Sequence, residues 1–402
     1  MMQWTIGLIV LKRYNLFRFN RKRIKSPFYS AFKSFEDFPL GNKSLFMSQF
    51  DLINIYGIRK DEAFQVGHDA EKDLRRNSMI GSITVGLSSG SSGNRGIFLV
   101  SEKERAQWVA SILSRVIGLS LSQRTVAFFL RANSELYESV RSKLLKFTYY
   151  NIFDPLEQHW KNLLTTKPDI IVAQPSVLIR LIEISNIEAL PWKVEKIISV
   201  AEVLTIEDSK RIEVWSGTTI DQVYQCTEGF LAHSCKNGKI HWNSDSILVE
   251  KVWLNKMQYK PTITDLKRST QPIIRYEMND ILTQGKCDCG LKSDVIHSID
   301  GRSDDVFEWM NNETKIVLFP DFIRRTIIFS HPGIVDYTIV KELVYLKLWI
   351  DGPDEAFDAA KNGLKKLLES KGINTKILKS ASPWRADNGK KKRVINLAAE
   401  SK

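Results

Sequence analysis

Residues 86–96 form the most distinctive stretch of the chain, a run of glycine and serine with apolar flanks. The run reads Gly86-Leu87-Ser88-Ser89-Gly90-Ser91-Ser92-Gly93-Asn94-Arg95-Gly96. Glycine lets the backbone approach a ligand closely, and serine hydroxyls and backbone N–H groups donate hydrogen bonds to phosphate oxygens. The run therefore predicts a loop that holds nucleotide phosphates. It lacks the Gly-Lys-Ser/Thr of a Walker loop, and taken alone it is also typical of a flexible linker.

The segments around this loop indicate alternating helices and strands. Residues 101–117 have apolar side chains at helical spacing, and Ser101 and Glu104 match a capping box. Three short segments rich in β-branched side chains each lie near a helical stretch: residues 169–172, 196–200 and 220–224. This alternation predicts mixed α/β layers through the middle of the chain.

The C-terminal part has a different order of elements. After Gly301 we predict a strand, a second strand, a helix and a third strand, at residues 335–340, 343–350, 354–369 and 375–378. A chain of 402 residues exceeds what one core usually spans. We therefore predict two domains, a large N-terminal α/β domain at residues 1–302 and a small α+β lid at residues 303–402.

Four further motifs carry groups whose chemistry suits a nucleotide. They are DQVYQCTEG at 221–229, PIIRYEMND at 272–280, GRSDD at 301–305 and GKKKRV at 389–394. A carboxylate is a hard oxygen ligand for Mg²⁺ and can accept hydrogen bonds from both hydroxyls of a ribose. A lysine ammonium is a point charge that can stabilise negative charge on a phosphate. Each motif alone could also be a solvated strand end, a loop or a basic tail.

In this order the five motifs resemble those of the adenylate-forming superfamily, in particular the phenylacetate–coenzyme A ligases and the ligases that adenylate a deazaflavin coenzyme. The resemblance extends over residues 86–394, and residues 26–43 are similar to the entry segment of those ligases. It implies a large ATP- and acyl-binding domain followed by a small mobile lid. It also implies that a carboxylic acid is activated as its acyl-AMP.

The resemblance assigns a role to each matching residue. It implies that ATP is bound by Ser88, Ser89, Gly90, Ser91, Ser92, Gly93, Arg95, Glu202, Tyr224, Thr227, Asp280 and Arg302. Tyr224 would lie near the adenine, Thr227 near a phosphate and Asp280 at the ribose hydroxyls. Glu228 would hold Mg²⁺, and the catalytic residues would be Lys390, Glu228 and Thr227.

Two other positions follow from the same resemblance. Asp304 corresponds to the hinge about which the lid turns, and residues 174–176 are similar to a Tyr-Pro-Ser stretch near the acyl pocket. Because three lysines are adjacent at residues 390–392, Lys391 and Lys392 stay open as alternatives to Lys390.

Three residues depart from the family pattern. Gly96 occupies the last place of the loop motif, where the family has lysine or threonine, Gln225 replaces a glycine beside Tyr224, and Asn279 replaces a glycine before Asp280. Gly96 removes one potential phosphate donor, which gives Arg95 more of the anion contact. Because glutamine is larger than glycine, Gln225 predicts that the wall around the nucleotide leaves a narrower space than in the relatives.

Three of the four cysteines and one histidine form a candidate metal site. Cys235, His241, Cys287 and Cys289 form a Cys₃His set, which suits tetrahedral Zn²⁺, although their spacing is unlike that of a zinc finger. Some phenylacetate-ligase relatives carry zinc with this order of ligands. Four protein ligands would leave no open position, so the predicted zinc is structural. His233 is the alternative nitrogen ligand, and reduced thiols without a metal are the alternative for the whole set. Cys226 is predicted as pocket wall.

The positive charge of the chain is concentrated at its ends. Residues 1–35 carry eight Lys or Arg and no acid, and residues 385–402 carry a net four charges, which together give the formal +12. The neutral body argues against a nucleic-acid groove, whereas the basic start could contact an anionic membrane surface.

The apolar run at residues 6–11 is too short to span a membrane, and the basic residues follow it, unlike in a signal peptide. We therefore predict a cytoplasmic protein without disulfides.

The resulting prediction is an ATP-dependent acid–thiol ligase that forms an acyl-AMP, releases pyrophosphate and passes the acyl group to coenzyme A or an acyl-carrier protein. The acid is predicted to be aromatic by resemblance only, and relatives suggest a homodimer. Three alternatives stay open: adenylyl transfer or amide formation without a thioester, a nucleotide-binding module without catalysis, and a membrane-surface protein.

Overall fold

The part of the chain that the structure describes is built around one long mixed sheet, with three smaller sheets and short helices. The computed structural model describes residues 25–72, 78–88, 96–118, 120–130, 144–152, 154–302, 305–311, 314–318, 323–324, 326–327, 330–331, 333–385 and 392–399. The helices are α1 (Pro27–Ser30), α2 (Lys43–Ser48), α3 (Phe50–Ile53), α4 (Lys60–Lys72), α5 (Glu102–Ile112), α6 (Leu156–Thr166), α7 (Pro175–Ser185), α8 (Ile206–Ser216) and α9 (Asp354–Ser370). A π-helical turn, Leu113–Ile117, extends α5, and a 3₁₀ turn covers Leu397–Ala399.

The strands are numbered in chain order. They are β1 (Met79–Ile80), β2 (Ile83–Leu87), β3 (Ile97–Val100), β4 (Arg124–Leu130), β5 (Leu145–Asn151), β6 (Ile170–Ala173), β7 (Lys196–Ser199), β8 (Ile220–Cys226), β9 (Gly229–Ser234), β10 (Ile240–Trp242), β11 (Ile247–Trp253), β12 (Gln258–Asp265), β13 (Tyr276–Glu277), β14 (Asp280–Gly285), β15 (Val295–Arg302), β16 (Phe307–Asn311), β17 (Thr314–Leu318), β18 (Asp336–Lys341), β19 (Tyr345–Asp351), β20 (Lys376–Lys379) and β21 (Val394–Asn396). The three predicted β-branched segments are strands β6, β7 and β8.

The long sheet has a parallel half and an antiparallel half. Its order is β5-β4-β6-β7-β8-β9-β10-β15-β14-β12-β11, and β13 pairs with β12. Strands β4 to β8 are parallel to one another, because helices α7 and α8 carry the chain back between β6, β7 and β8. Strand β8 then pairs with β9 in the antiparallel sense. The sheet therefore changes type at β8.

The parallel half is covered on both faces. Ile171 and Ile197 belong to a cluster built with α6, α7 and α8, whereas Val172 and Ile198 belong to a second cluster that includes Val116 of the π-helical turn. Successive residues of a strand point to opposite faces, so both faces of β6 and β7 are buried. This explains why β6 and β7 are apolar along their length. The β-branched side chains within them were the signal that predicted these strands.

The antiparallel half packs against the start of the described chain. Tyr29, Phe38 and Phe46 join Tyr259 and Tyr276 in one buried cluster. Phe46 contacts the Tyr276 ring edge-on, with ring centroids 4.8 Å apart. This packing holds helices α1 and α2 against the sheet and brings Lys43 toward the cavity described below.

The predicted capping box of α5 is confirmed, but the helix does not stay α-helical to residue 117. Ser101 Oγ accepts from Glu104 N, and the Glu104 carboxylate accepts from Ser101 N at 2.9 Å. Glu104 Oε1 also accepts from Thr270 N at 2.8 Å. Burial would raise the pKa of Glu104, but hydrogen bonds from Thr270, Ser101 and Ser269 hold it below its ordinary value. One carboxylate therefore caps α5 and fixes the loop at residues 269–270.

The small sheet β1-β2-β3 carries the ends of the glycine- and serine-rich loop. Ser88 follows β2 and Gly96 precedes β3. Ser88 N donates to Gly96 O at 2.8 Å, and Gly96 N donates to Ser88 Oγ at 2.6 Å. The pairing of β2 with β3 therefore closes the base of the loop, whose residues 89–95 lie outside the described ranges.

The C-terminal elements form a separate four-stranded sheet of order β20-β19-β18-β21, with α9 packed on it. The predicted strand, strand, helix and strand are confirmed as β18, β19, α9 and β20. Strand β21, which pairs in parallel with β18, was not predicted. The boundary between domains at residues 302 and 303 stays a prediction.

Glu104→Gln should lower the free energy of unfolding by about 2–3 kcal/mol at pH 7, because several buried donors lose a charged acceptor. The pKa of Glu104 is lowered on folding, so its contribution is present above the unfolded pKa and is lost as the pH falls through the folded pKa. The difference from wild type should therefore shrink below about pH 4. Urea unfolding from pH 3 to 7 measures both effects. Glu102→Gln changes an exposed carboxylate in the first turn of the same helix and is the matched control. Equal losses for the two variants would contradict the role given to Glu104.

Candidate functional site

A cavity of about 910 Å³ lies at the edge of the sheet where β6, β7 and β8 end at their carboxyl termini. In open α/β sheets this edge is the usual place for a ligand. All the predicted nucleotide-site residues that the structure describes line this cavity: Ser88, Glu202, Tyr224, Thr227, Glu228, Asp280 and Arg302. They come from five separate segments of the chain, so folding brings the predicted motifs to one place.

Several predicted residues lie outside the described ranges. They are Ser89, Gly90, Ser91, Ser92, Gly93 and Arg95 of the loop, the hinge residue Asp304, and Lys390 with its neighbour Lys391. The basic segment at residues 1–24 lies outside as well. Ser88 and Gly96 fix the two ends of the loop, and Ser88 lines the cavity.

Tyr224 and Asp280 join the two halves of the sheet across the cavity. Tyr224 lies on β8, and its hydroxyl donates to Asp280 Oδ2 at the start of β14. Tyr224 is 8% exposed, and its ring packs edge-on against Trp242. Burial, and then the charge of Asp280, raises the pKa of Tyr224 well above its ordinary value. Tyr224 is therefore a neutral donor that fixes the Asp280 carboxylate.

Thr227 and Glu228 lie in the turn between β8 and β9. Thr227 Oγ1 donates to Glu228 Oε2 at 2.8 Å, and Arg268 donates to the Thr227 carbonyl oxygen at 2.7 Å. Burial, and then the charge and hydrogen bond of Glu228, raises the pKa of Tyr276 well above its ordinary value. The Glu228 carboxylate is thus oriented from two sides, and it lines the cavity with the carboxylates of Asp265 and Asp280.

Glu202 lies between the end of β7 and helix α8. Its Oε2 accepts from Ser176 N at 3.2 Å, so it covers the first turn of α7. The preceding residue, Ala201, has a φ of 64°, a left-handed conformation that is uncommon outside glycine. This turn directs the chain along the cavity wall, which residues 201–203 line.

Gln225 fills the place where the family has glycine. Its Oε1 accepts from Trp108 Nε1 at 3.0 Å, and both side chains line the cavity. The bond ties β8 to helix α5 across the cavity wall. This contact is consistent with the narrower wall predicted from the sequence, which stays a prediction.

Sequence reasoning missed several cationic residues of the cavity wall. Lys43, Arg268 and Arg324 line the cavity but lie outside the five motifs. Lys43 falls at the end of the entry segment, which was the available signal for it. Nothing in the local sequence marks Arg268 or Arg324, since their places depend on contacts between distant segments.

Two basic residues at the end of the chain connect the C-terminal sheet to the rest of the molecule. Lys392 Nζ lies 3.0 Å from Asp305 Oδ1, with both side chains largely buried. Arg393 contacts Asp336 at 2.8 Å and Asp208 of helix α8 at 3.1 Å. Burial alone would lower the pKa of Arg393, but Asp208 and Asp336 raise it above its ordinary value. Lys392 is therefore engaged by Asp305, and Lys390 and Lys391 lie outside the described ranges.

The predicted Cys₃His set converges at the tip of the antiparallel half. The ligand atoms of Cys235, His241, Cys287 and Cys289 all lie within 4.8 Å of one another. Cys235 Sγ lies 3.7 Å from Cys287 Sγ, and Cys289 Sγ lies 3.4 Å from His241 Nε2. Tetrahedral Zn²⁺ with bonds of about 2.3 Å to sulfur and about 2.0 Å to nitrogen requires separations close to these.

The surroundings of the set select His241 as the nitrogen ligand. His241 Nδ1 lies 3.2 Å from Ser293 Oγ, the kind of contact that orients a ligating imidazole. The alternative ligand, His233, contacts Asn243 Oδ1 through its Nδ1 at 2.7 Å and is not in the group. Cys226 lies apart from the set, in the cavity wall, as predicted. The residues present fit a closed structural metal site.

Comparison with solved structures finds the fold of adenylate-forming enzymes. The chain is similar to 2-hydroxyisobutyryl-CoA ligase in the postadenylation state in complex with R3-HIB-AMP, with a TM-score of 0.69, 15% identity, and coverage of 96% of this chain and 90% of that one. For the same ligase with 2-HIB-AMP and CoA in the thioesterification state the TM-score is 0.58, at 17% identity and coverage of 96% and 90%.

Two other solved structures match over a smaller part of the chain. ATP-bound MatB from Rhodopseudomonas palustris has a TM-score of 0.56 and 12% identity, with coverage of 76% of this chain and 65% of that one. O-succinylbenzoate coenzyme A synthetase (MenE) from Bacillus subtilis, in complex with AMP, has a TM-score of 0.56 and 14% identity, with coverage of 77% and 68%. The chain therefore has the mixed α/β fold of these adenylate-forming enzymes, as the motif order predicted.

Comparisons at the sequence level find less. No protein-family model matches the chain, and no curated protein matches it. Within the described ranges, no helix has the length and apolar character needed to cross a membrane.

Arg393→Gln should lower the free energy of unfolding by about 3 kcal/mol, because it removes the cation that contacts both the buried Asp208 and Asp336. Chemical denaturation measures the loss, and a double-mutant cycle with Asp208→Asn should recover part of it. The exposed pair of Arg180 and Glu183 provides the control, since Arg180→Gln should change stability by less than about 1 kcal/mol. Additive effects of Arg393→Gln and Asp208→Asn would show that the two side chains do not interact.

Proposed function

We propose that this chain is an AMP-forming acid–thiol ligase, which activates a carboxylic acid with ATP and transfers the acyl group to a thiol. The observation that carries the proposal is the convergence of seven predicted nucleotide-site residues on one cavity. The fold, shared with solved acyl-CoA ligases, supports the same reaction class. The acceptor is coenzyme A or a carrier-protein thiol, and the acid is apolar, with aromatic acids as the first candidates.

In the first step an acid carboxylate oxygen attacks the α-phosphorus of ATP. The bond from this phosphorus to the bridging oxygen breaks, pyrophosphate leaves, and the acyl-AMP remains as a mixed anhydride. Because no covalent enzyme intermediate forms, the side chains position the reactants and stabilise charge. In the second step a thiolate attacks the acyl carbon and AMP leaves.

Each described residue of the cavity has a separate role in these two steps. Asp280, held by the Tyr224 hydroxyl, accepts from the ribose hydroxyls. Thr227 and Glu228 line the cavity. In this proposal Thr227 binds a phosphate, and Glu228 would hold the Mg²⁺ that accompanies ATP. A bound Mg²⁺ neutralises part of the triphosphate charge. Without such cations the carboxylates of Glu228, Asp265 and Asp280 would repel ATP, so cationic side chains such as Arg302 and Lys43 are needed beside them.

The lid contributes the catalytic lysine in this proposal. Lys390 is two residues before Lys392, which contacts Asp305 at the start of the lid. A rotation about Asp304 between the two steps would withdraw Lys390 and admit the thiol. The solved 2-hydroxyisobutyryl-CoA ligase is recorded in both a postadenylation state and a thioesterification state, which supports two such arrangements.

ATP–pyrophosphate exchange tests the first step directly. Wild type should exchange in the presence of some members of a panel of aryl and aliphatic acids, and Lys390→Ala should lose about a hundredfold to a thousandfold in rate. Lys391→Ala tests the register within the three lysines, and Lys371→Ala, after helix α9, is the control outside the motif. ATP binding without exchange for any acid would favour the non-catalytic nucleotide-binding module.

We also propose that the Cys₃His set holds one structural Zn²⁺. Zinc bound by Cys235, His241, Cys287 and Cys289 would join the β9–β10 turn to the segment after β14. Its contribution is to folding, because a closed four-ligand site leaves no position for a substrate.

Elemental analysis of the purified protein should give about one zinc per chain. Cys289→Ser should lose the zinc and lower the midpoint of thermal unfolding, since the closed site stabilises the fold. Cys226→Ser removes a thiol of the cavity wall and should keep the zinc. Equal zinc content in Cys289→Ser and wild type would show that the set does not bind the metal.

A further inference from the structure

Gln174 is a buried amide in the apolar part of the cavity. The residue follows strand β6, is the N-cap of helix α7 and is 5% exposed. Its Oε1 is buried and accepts no hydrogen bond, although the residue lines the cavity. A buried polar atom without a partner costs free energy, and such atoms are rare in folded proteins. This atom therefore points to a ligand group that binds there.

The surroundings of Gln174 define the rest of that ligand. Val172 lies two residues before Gln174, and alternate residues of an extended chain point to the same side. The two side chains therefore lie on the same face of the sheet. On that face the cavity is lined by the apolar cluster that covers the parallel half, with Ile112, Val116, Phe128, Phe147, Val172 and Ile198. A ligand in this part of the cavity must bury an apolar body. Two residues beyond Gln174, Ser176 contacts Glu202, which lies on the nucleotide side.

We infer that the acid is an apolar carboxylic acid that carries a hydroxyl group, and that Gln174 selects this group. The inference rests on the proposed adenylation function and names its substrate class. A hydroxyl donates to Oε1, and rotation about the terminal torsion of the glutamine side chain brings the amide to the cavity at low cost. A site built to bind a hydroxyl rejects the analogue that lacks it, because its buried amide is then left unpaired.

Matched acids test this inference. The probes are 3-phenylpropanoate, its 2-hydroxy and 4-hydroxyphenyl derivatives and the 4-methoxyphenyl derivative, together with octanoate and 8-hydroxyoctanoate. Exchange rates give kcat/KM, and calorimetry without ATP gives binding. Wild type should prefer at least one hydroxy acid to its parent by about tenfold to a hundredfold. The methyl ether accepts but does not donate, so it should behave as the parent does.

Gln174→Leu should remove or reverse this preference, because leucine is apolar and similar in size. Gln65→Leu makes the same chemical change on the exposed side of α4 and should keep it. Exchange with no hydroxyl preference, unchanged in Gln174→Leu, would overturn this inference and leave the adenylation proposal in place. Hydroxyl-dependent binding without exchange would support the Gln174 subsite and overturn the adenylation proposal. Neither binding nor exchange with any probe would overturn both.

Discussion

The pairing of strand β8 is the constraint on which the rest of the site depends. One edge of β8 pairs in parallel with β7, and the other pairs with β9 in the antiparallel sense. Helices α7 and α8 therefore begin along the same line, at the carboxyl ends of β6 and β7, on which the turn after β8 lies. The turn at residues 227–229 lies on that line, and Gly229, with a φ of 150°, begins β9 at once. A longer connection would move Glu228 away from Asp280.

This arrangement of the sheet determines where the charged side chains lie around the cavity. The cavity wall has carboxylates on the antiparallel side, at Glu228, Asp265 and Asp280, and an apolar surface on the parallel side. Burial raises the pKa of Asp265, and neighbouring Arg268 opposes that rise. A ligand that carries both a polar, cation-associated part and an apolar part matches the two walls. ATP with an apolar acid is such a pair, and joining them requires that both lie in the same cavity.

The elements that depend on a local pattern of residues could be predicted from the sequence. The elements and site residues that depend on contacts between distant segments could not. Strands β6 to β8 follow from short segments rich in β-branched side chains, and the capping box of α5 follows from Ser101 with Glu104. Strand β21 has three residues beside a basic run, too few for a period, and forms because β18 offers an edge. His233 and His241 are cross-strand partners, so spacing could not separate them. Arg268 and the buried amide oxygen of Gln174 that accepts no hydrogen bond could be found only in the folded chain.

A single-turnover reaction tests the central claim most directly. The protein, in excess over Mg·ATP, is mixed with a set of apolar acids, quenched with acid and analysed by mass spectrometry for nucleotides and acyl-AMP. We expect pyrophosphate and one acyl-AMP in equal amounts, without ADP. Formation of ADP and inorganic phosphate would contradict it, because that product pair requires attack at the γ-phosphorus and not at the α-phosphorus.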